Sequence, residues 1–287
     1  MARPLRLEFP GAFYHLSAQG DRQQPIFEDQ DDYLIFLDLL AKEVRQQGWV
    51  LYAFCLLENQ YHLLLETPEP NLIRGMRRLN GVYTQAFNRR HSRAGRVFQG
   101  RYKSILIDPG SHLLELCRYV VLNPVRVKVV ASVKQWPWSS YLPTLGKMPC
   151  PDWIAAEKLL KFFHRSLPQA RMAYERFVAD GLKQPSPWRE LKGQMYLGSE
   201  PFHTQVRKRL AGKQVRGSTS RSPEPDRPSA QAVVRAVAKA HGLKTGAVLD
   251  RTSSRAFQQA VYLLRRRGNL SLNEVADLAG VSIGRVS

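Results

Sequence analysis

The stretch Cys55-Leu56-Leu57-Glu58-Asn59-Gln60-Tyr61-His62-Leu63-Leu64-Leu65-Glu66 constrains the fold more than any other part of this chain. Its apolar residues flank polar ones at Glu58 to Gln60 and at His62, and the run reads as a buried strand. Strand alternation places Gln60 and His62 on one face and Tyr61, Leu63 and Leu65 on the other. An imidazole set among leucines needs a partner, because burying a polar group unpaired is costly. His62 is therefore either a satisfied core histidine or half of a metal site whose other half comes from elsewhere in the chain.

The 287 residues have room for one large or two modest domains. The hydrophobic fraction of 44% excludes a wholly disordered chain. A formal net charge of +19 points to a polyanionic partner, nucleic acid before an anionic membrane surface. Cys55, Cys117 and Cys150 are far apart with no C-x-x-C pair, which suggests a reducing compartment and no zinc cluster. No secretory signal or membrane-length apolar run is evident, so a cytoplasmic location is expected.

Along the chain, Ala12 to Ser17 reads as a first strand carrying His15, which can point into the same site as His62 but is more often a packing residue in such a position. Asp29 to Gln47 reads as an amphipathic helix ended by Gly48, with Tyr33, Phe36, Leu37, Leu40 and Val44 at spacings of three and four. A strand over Trp49 to Leu56 then pairs with the organising strand across a Glu58-Asn59 turn. Leu72 to Asn88 has helical spacing, with Met76, Leu79, Val82, Tyr83 and Phe87 as its core stripe. Phe98 to Ile107 alternates like a strand with Arg101 and Lys103 on one face. A helix from His112 to about Leu122 follows, on which Tyr119 and Asn123 are four apart and share a face. The order β-α-β-β-α-β-α predicts an α+β fold, a ferredoxin-like or RRM-like antiparallel sheet with helices on one side.

Between Asn71 and Ile107 there is no acidic residue, while Arg74, Arg77, Arg78, Arg89, Arg90, Arg93, Arg96, Arg101 and Lys103 fall in the same interval. Solvated faces normally mix signs. A one-sign run interleaved with Tyr83, Phe87, Phe98 and Tyr102 suits a phosphate backbone with stacked bases. Trp136 to Tyr141 reads as a lid on the core, and residues 152 to 210 read as largely helical with Phe162, Phe163, Tyr174 and Phe177 as core. The expected domains are 1–145, a helical extension over 146–212, a flexible linker over 213–229 and a small all-α unit over 230–287. In the last unit Leu270 to Ser282 reads as helix-turn-helix, with Gly280 in the turn and Arg285 on a recognition helix that Ser287 cuts short.

Several runs carry a family likeness: Phe9 to His15, Gln60-Tyr61-His62, Asn80 to Gln85, Phe98 to Lys103, Arg118 to Arg126, and Trp136 to Tyr141. Together they resemble the REP-associated tyrosine transposases, relatives of single-tyrosine HUH insertion-sequence transposases. The likeness is strong over about residues 3–145 and weaker through Leu197 to Glu200 and the C-terminal segment. It implies the HUH fold, a Mg²⁺ or Mn²⁺ site formed by His62, Gln60 and Asn123, and Tyr119 as a nucleophile that leaves a 5′-phosphotyrosine link. It also implies a single-stranded or hairpin DNA partner, held by Arg74, Arg77, Arg78, Arg89, Arg90, Arg101, Lys103 and Arg126. No membrane and no small-molecule cofactor are expected, and the oligomeric state is open between monomer and homodimer.

The chain departs from the family pattern at three positions. Gln60 stands where the first HUH histidine belongs, Glu58 where a proline is usual, and Gln19 where an arginine is usual. A Gln amide oxygen can bind a hard cation, so the substitution is compatible with a metal site. It is equally compatible with a domesticated DNA-binding protein that has lost cleavage. An RNA-binding module would share the sheet plan and the charge.

Overall fold

The computed structural model describes residues 7–191, 196–211, 228–250, 254–266, 270, 272–282 and 284. The chain divides into two compact units, 1–218 and 219–287.

The first unit opens with β1 (Ala12–Gln19), α1 (Gln30–Gln47), β2 (Val50–Leu57), β3 (Gln60–Thr67), α2 (Leu72–Arg90) and β4 (Lys103–Ile107). α1 starts where the Asp29 carboxylate accepts from the Asp32 amide, and it stops at Gly48, whose φ of 68° is the left-handed conformation glycine supplies most cheaply. The strands lie in the order β2-β3-β1-β4, all antiparallel, which is the ferredoxin-like arrangement read from the element order. A two-residue strand, β5 (Tyr196–Leu197), adds to β4 in parallel and had no sequence signal.

α1 and α2 cover one sheet face. Phe36, Leu40, Met76, Leu79 and Tyr83 pack there on Leu16, Phe54, Tyr61 and Leu63, all buried. The expectation of helices on one side holds for these two helices only. α3 (Pro109–Val121) lies on the opposite face, where Leu113, Leu116, Cys117 and Val120 meet Cys55, Leu57 and Leu64. Leucines on both faces of β3 make that second cover necessary: Leu64 is as buried as Leu63 and Leu65. α4 (Asn123–Arg126) continues from α3 with little break. α5 (Tyr141–Leu145), α6 (Ala156–Leu160) and α7 (Leu167–Asp180) enlarge the α3-side core through Tyr141, Leu159, Leu160, Tyr174 and Val178. α8 (Glu200–Ala211) ends the described part of this unit.

Three sequence expectations are corrected, the first being Val82, which is exposed rather than part of the α2 core stripe. The strand read over Phe98–Ile107 begins only at Lys103, because Gly100 adopts φ 143° and breaks the extended run; Arg101 lies outside the strand. Phe162 is 58% exposed rather than core, while Phe163 packs against Tyr174 and Phe177. The Trp136–Tyr141 segment does pack on the core, and it does so by pairing with the free edge of β2. The Leu56 amide donates to the Trp138 carbonyl, the Ser140 amide to Phe54 O, and the Trp136 indole to Leu56 O.

The second unit holds α9 (Ala230–His241), α10 (Ser254–Arg266) and α11 (Leu272–Ala279) around Val233, Val237, Ala260, Leu264 and Val275. Gly280 follows α11 at φ 61°, as a turn residue should. Arg285 and residues 213–227 of the expected linker lie outside the described residues. Among the described residues no helix is long and apolar enough to cross a membrane.

Candidate active site

Strand register decides which side chains meet. Ser17 pairs with His62 and His15 with Leu64, so the two histidines are diagonal neighbours on the α3 face. His15 Nε2 lies 3.2 Å from His62 Nδ1, a hydrogen bond between rings stacked at 5.3 Å. The outward nitrogens, His15 Nδ1 and His62 Nε2, are buried without a hydrogen-bond partner. Burial pushes the His62 pKa down to about 4, and burial together with the neighbouring ring takes His15 well below the ordinary histidine value. Both rings are therefore neutral at neutral pH, the form that binds metals. His15 is thus no mere packing residue. The signal in the sequence was its place in a strand that can pair antiparallel with β3.

α3 brings the other half. Its N-terminus is fixed by Asp108, whose carboxylate accepts from the Gly110 amide and from the Ser199 hydroxyl. With Leu116, Cys117 and Val120 turned into the core, Tyr119 is left half-buried at the seam. Its ring meets the edge of Trp188 at 5.3 Å, and Trp188 in turn lies 4.7 Å from His15. Trp188, in a 3₁₀ turn over Pro187–Glu190, joins the tyrosine to the histidine pair and was missed at the level of sequence. Arg126 lies over the Tyr119 ring at 5.1 Å, donates from Nη2 to Gly181 O, and keeps a buried Nε with no partner. Asn123 is buried, and its Nδ2 donates to the carbonyls of Tyr119 and Val120. That turns its oxygen away from them. Gln60 is half-exposed on the same strand face as His62.

The donor set fits a divalent cation. When His62 Nδ1 donates to His15 Nε2, the orphaned His62 Nε2 presents a lone pair, and the Gln60 and Asn123 amides can each offer a neutral oxygen. Carboxylate is absent from that set, so the affinity expected is modest.

The arginine run is divided by the packing of α2 on α1. Arg74 donates to Gln47, Arg78 pairs with buried Glu43 at 3.0 Å, and Arg90 pairs with Asp29, Asp31 and Asp32. These three hold the two helices together on the face away from His62. Arg77 and Arg89 on α2 and Arg101 beyond it are exposed. Lys103 is exposed at the start of β4 and pairs with Ser17, which places it on the His62 face. Asp29, Asp32 and His91 also lie close enough to one another to share a cation, but Arg90 already occupies both aspartates.

No family model matches the chain. Over 100 residues it is 30% identical to a Haemophilus influenzae protein that carries the name of a REP-associated tyrosine transposase, a match covering 31% of this chain and 57% of the relative. The chain thus spans little more than half the length of that relative. A solved REP-associated tyrosine transposase bound to a REP hairpin is similar at 18% identity with a TM-score of 0.46, covering 51% of this chain and 87% of that one. The resemblance drawn from the residue runs is met in the sequence comparison with the Haemophilus influenzae relative.

Two outcomes follow from this geometry. The folded histidines titrate below the unfolded value of ~6.5, so the unfolded state binds more protons as the pH falls. In chelator, stability is full above that pH and declines toward about 4, by roughly 2–3 kcal/mol per pH unit at the steepest because two histidines contribute, and a His15→Phe/His62→Leu variant flattens the slope; urea midpoints between pH 7 and 5 measure it. Arg90→Ala lowers the thermal midpoint by several degrees because Asp32 is left buried, whereas Arg77→Ala and Arg89→Ala leave it unchanged.

Proposed function

We propose that the protein is a metal-assisted, single-tyrosine DNA strand transferase of the HUH type, which cuts and rejoins single-stranded hairpin DNA. One observation carries this reading: Tyr119 sits on the same side of the sheet as a buried histidine pair whose His62 Nε2 lacks any partner, with Trp188 touching both. The net charge of +19 and the sequence likeness to a named transposase support the choice of DNA.

In this reading the Tyr119 hydroxyl attacks phosphorus in line, the P–O3′ bond breaks, and the products are a 5′-phosphotyrosine and a free 3′-hydroxyl. The phosphodiester energy is kept in the covalent link, so the reverse attack by a 3′-hydroxyl rejoins a strand without ATP. A bound Mg²⁺ or Mn²⁺, held by His62, Gln60 and Asn123, supplies Lewis-acid polarisation of a non-bridging phosphate oxygen. His15 fixes the His62 ring and its tautomer. Arg126, over the tyrosine ring with Nε unpaired, would take a phosphate oxygen. Trp188 keeps water from one side of the ring.

A second reading is favoured by Gln60 itself: with one imidazole in place of two, the same site could bind DNA without cutting it. Incubation with a labelled hairpin and Mn²⁺, followed by a denaturing gel, separates the two. The transferase gives a covalent adduct that Tyr119→Phe abolishes and Gln60→His increases by about tenfold or more. Binding without adduct, with an adduct appearing only in Gln60→His, establishes the non-cutting protein. Absence of both binding and adduct overturns the proposal.

A further inference from the structure

The strand-transfer reading uses the first unit and leaves the second, which holds α9 to α11, without a task. The helix-turn-helix expected there puts its DNA contacts after the Gly280 turn, and Arg285 lies outside the described residues. A different face of the same unit has the chemistry of a nucleic-acid contact.

α10 has two unlike sides. Ala256, Ala260 and Leu264, at intervals of four, are buried in the three-helix core with Val233, Val237 and Val275. Small alanines let α10 sit close against its neighbours, which fixes the rotation of the helix about its axis. His241 Nε2, at the end of α9, meets Gln259 Oε1 at 2.6 Å and holds that rotation from outside the core. Arg255, Gln258, Tyr262 and Arg265 recur at spacings of three, four and three, so they share the opposite face, and all four are exposed. Tyr262 keeps 58% of its surface in solvent.

The charge on that face is one-sided. None of the 13 residues of α10 is acidic, and α9 has no acidic residue either. A solvated helix face normally mixes signs and pairs them four residues apart. This one is cationic at both ends and neutral between. The acidic side chains among the described residues of the unit are Asp250, Glu274 and Asp277, the last two on α11. A polyanion is therefore drawn to the unit along α10 and repelled along α11.

Spacing identifies the occupant. Arg255 and Arg265 are ten residues apart, about 15 Å along the helix axis. The major groove of duplex DNA is ~12 Å wide and admits one α-helix, so guanidiniums at the two ends of the face reach phosphates on its two edges. Gln258 and Tyr262 lie one turn apart between them, at the groove floor, where a Gln amide can pair with the N6 and N7 edge of adenine. A single strand fits less well. It is held in a groove that stacks successive bases on several aromatics, whereas α10 is convex and Tyr262 is its one exposed ring. We propose that the second unit is a duplex-DNA-binding module that lays α10 in the major groove, with Arg255 and Arg265 on phosphates and Gln258 and Tyr262 at base edges. The chain then has two nucleic-acid sites of different kinds, one for strand transfer and one for docking on intact duplex.

The inference uses no residue of the strand-transfer site, so a chain that forms no tyrosyl adduct would leave it standing. The full chain is titrated by fluorescence anisotropy, at roughly 50 to 200 mM salt, against a random-sequence duplex of about 20 base pairs and against a stemless single strand of equal length. Arg255→Ala/Arg265→Ala weakens duplex binding about tenfold and lowers the slope of log affinity against log salt by about two. Single-strand binding and the thermal midpoint stay as in the parent chain, because both positions are exposed. Arg255→Lys/Arg265→Lys restores most of the duplex affinity, since a point charge suffices at a phosphate. Gln258→Ala keeps random-sequence binding and abolishes the short motif that the parent chain enriches from a random duplex pool. Duplex affinity and salt slope unchanged in Arg255→Ala/Arg265→Ala overturn the proposal, and so does an equal loss on duplex and single strand. A duplex loss produced by Arg285→Ala alone moves the contact to the segment after the turn and overturns it too.

Discussion

The contact between His15 and His62 depends on one choice of register between β1 and β3. A slip of one residue would turn one strand over and carry its histidine to the face where α1 and α2 pack, among Phe36, Tyr61 and Tyr83. That face has no vacancy: Tyr83 and Tyr61 are fully buried there and already bond Ile26 O and Asn80. The aromatic side of the sheet therefore enforces the register, and the register presents two neutral imidazoles to α3. Ordinary core packing on one face is what makes chemistry available on the other.

α3 converts that presentation into a site. Its apolar seam fixes the rotation of the helix, so Tyr119 has to fall beside Trp188 and Arg126, and Asn123 one turn later. α4 then continues from α3, and the Val127 and Val129 amides bond back to the Asn123 and Pro124 carbonyls. Tyr119, the proposed nucleophile, and Asn123, the proposed amide donor, thus lie one turn apart on one continuous stretch of helix, which would hold reacting groups in fixed relation. Part of the arginine run of α2 has a structural task. Arg78 and Arg90 spend their charge on Glu43 and Asp32, which locks the helix pair that holds the register in place.

Much of this was legible in the sequence because it rested on local rules. Asp29 and Gly48 bracket α1, the Glu58-Asn59 turn joins β2 to β3, and Tyr119 and Asn123 share a helix face. What escaped depended on long-range contact. His15 looks like packing until β1 is paired with β3, and Trp188 reaches the site from a turn far along the chain with no periodic pattern around it. Reading Arg74, Arg78 and Arg90 as phosphate contacts failed to foresee their partners because these sit on α1, a separate element some 27 to 61 positions earlier. The second cover of the sheet was implicit in the three consecutive leucines of β3, which cannot all face one layer of helices.

The central claim is that the buried histidine pair, with His62 Nε2 as the free nitrogen, is where a divalent cation binds. Nitrogen-15 NMR of the imidazoles during a Mn²⁺ titration tests it most directly. The account predicts a His62 ring protonated on Nδ1 and bare on Nε2, with His62 and His15 resonances broadened first and at lowest Mn²⁺. Broadening that starts at His91, beside Asp29 and Asp32, while His62 stays sharp, would contradict it.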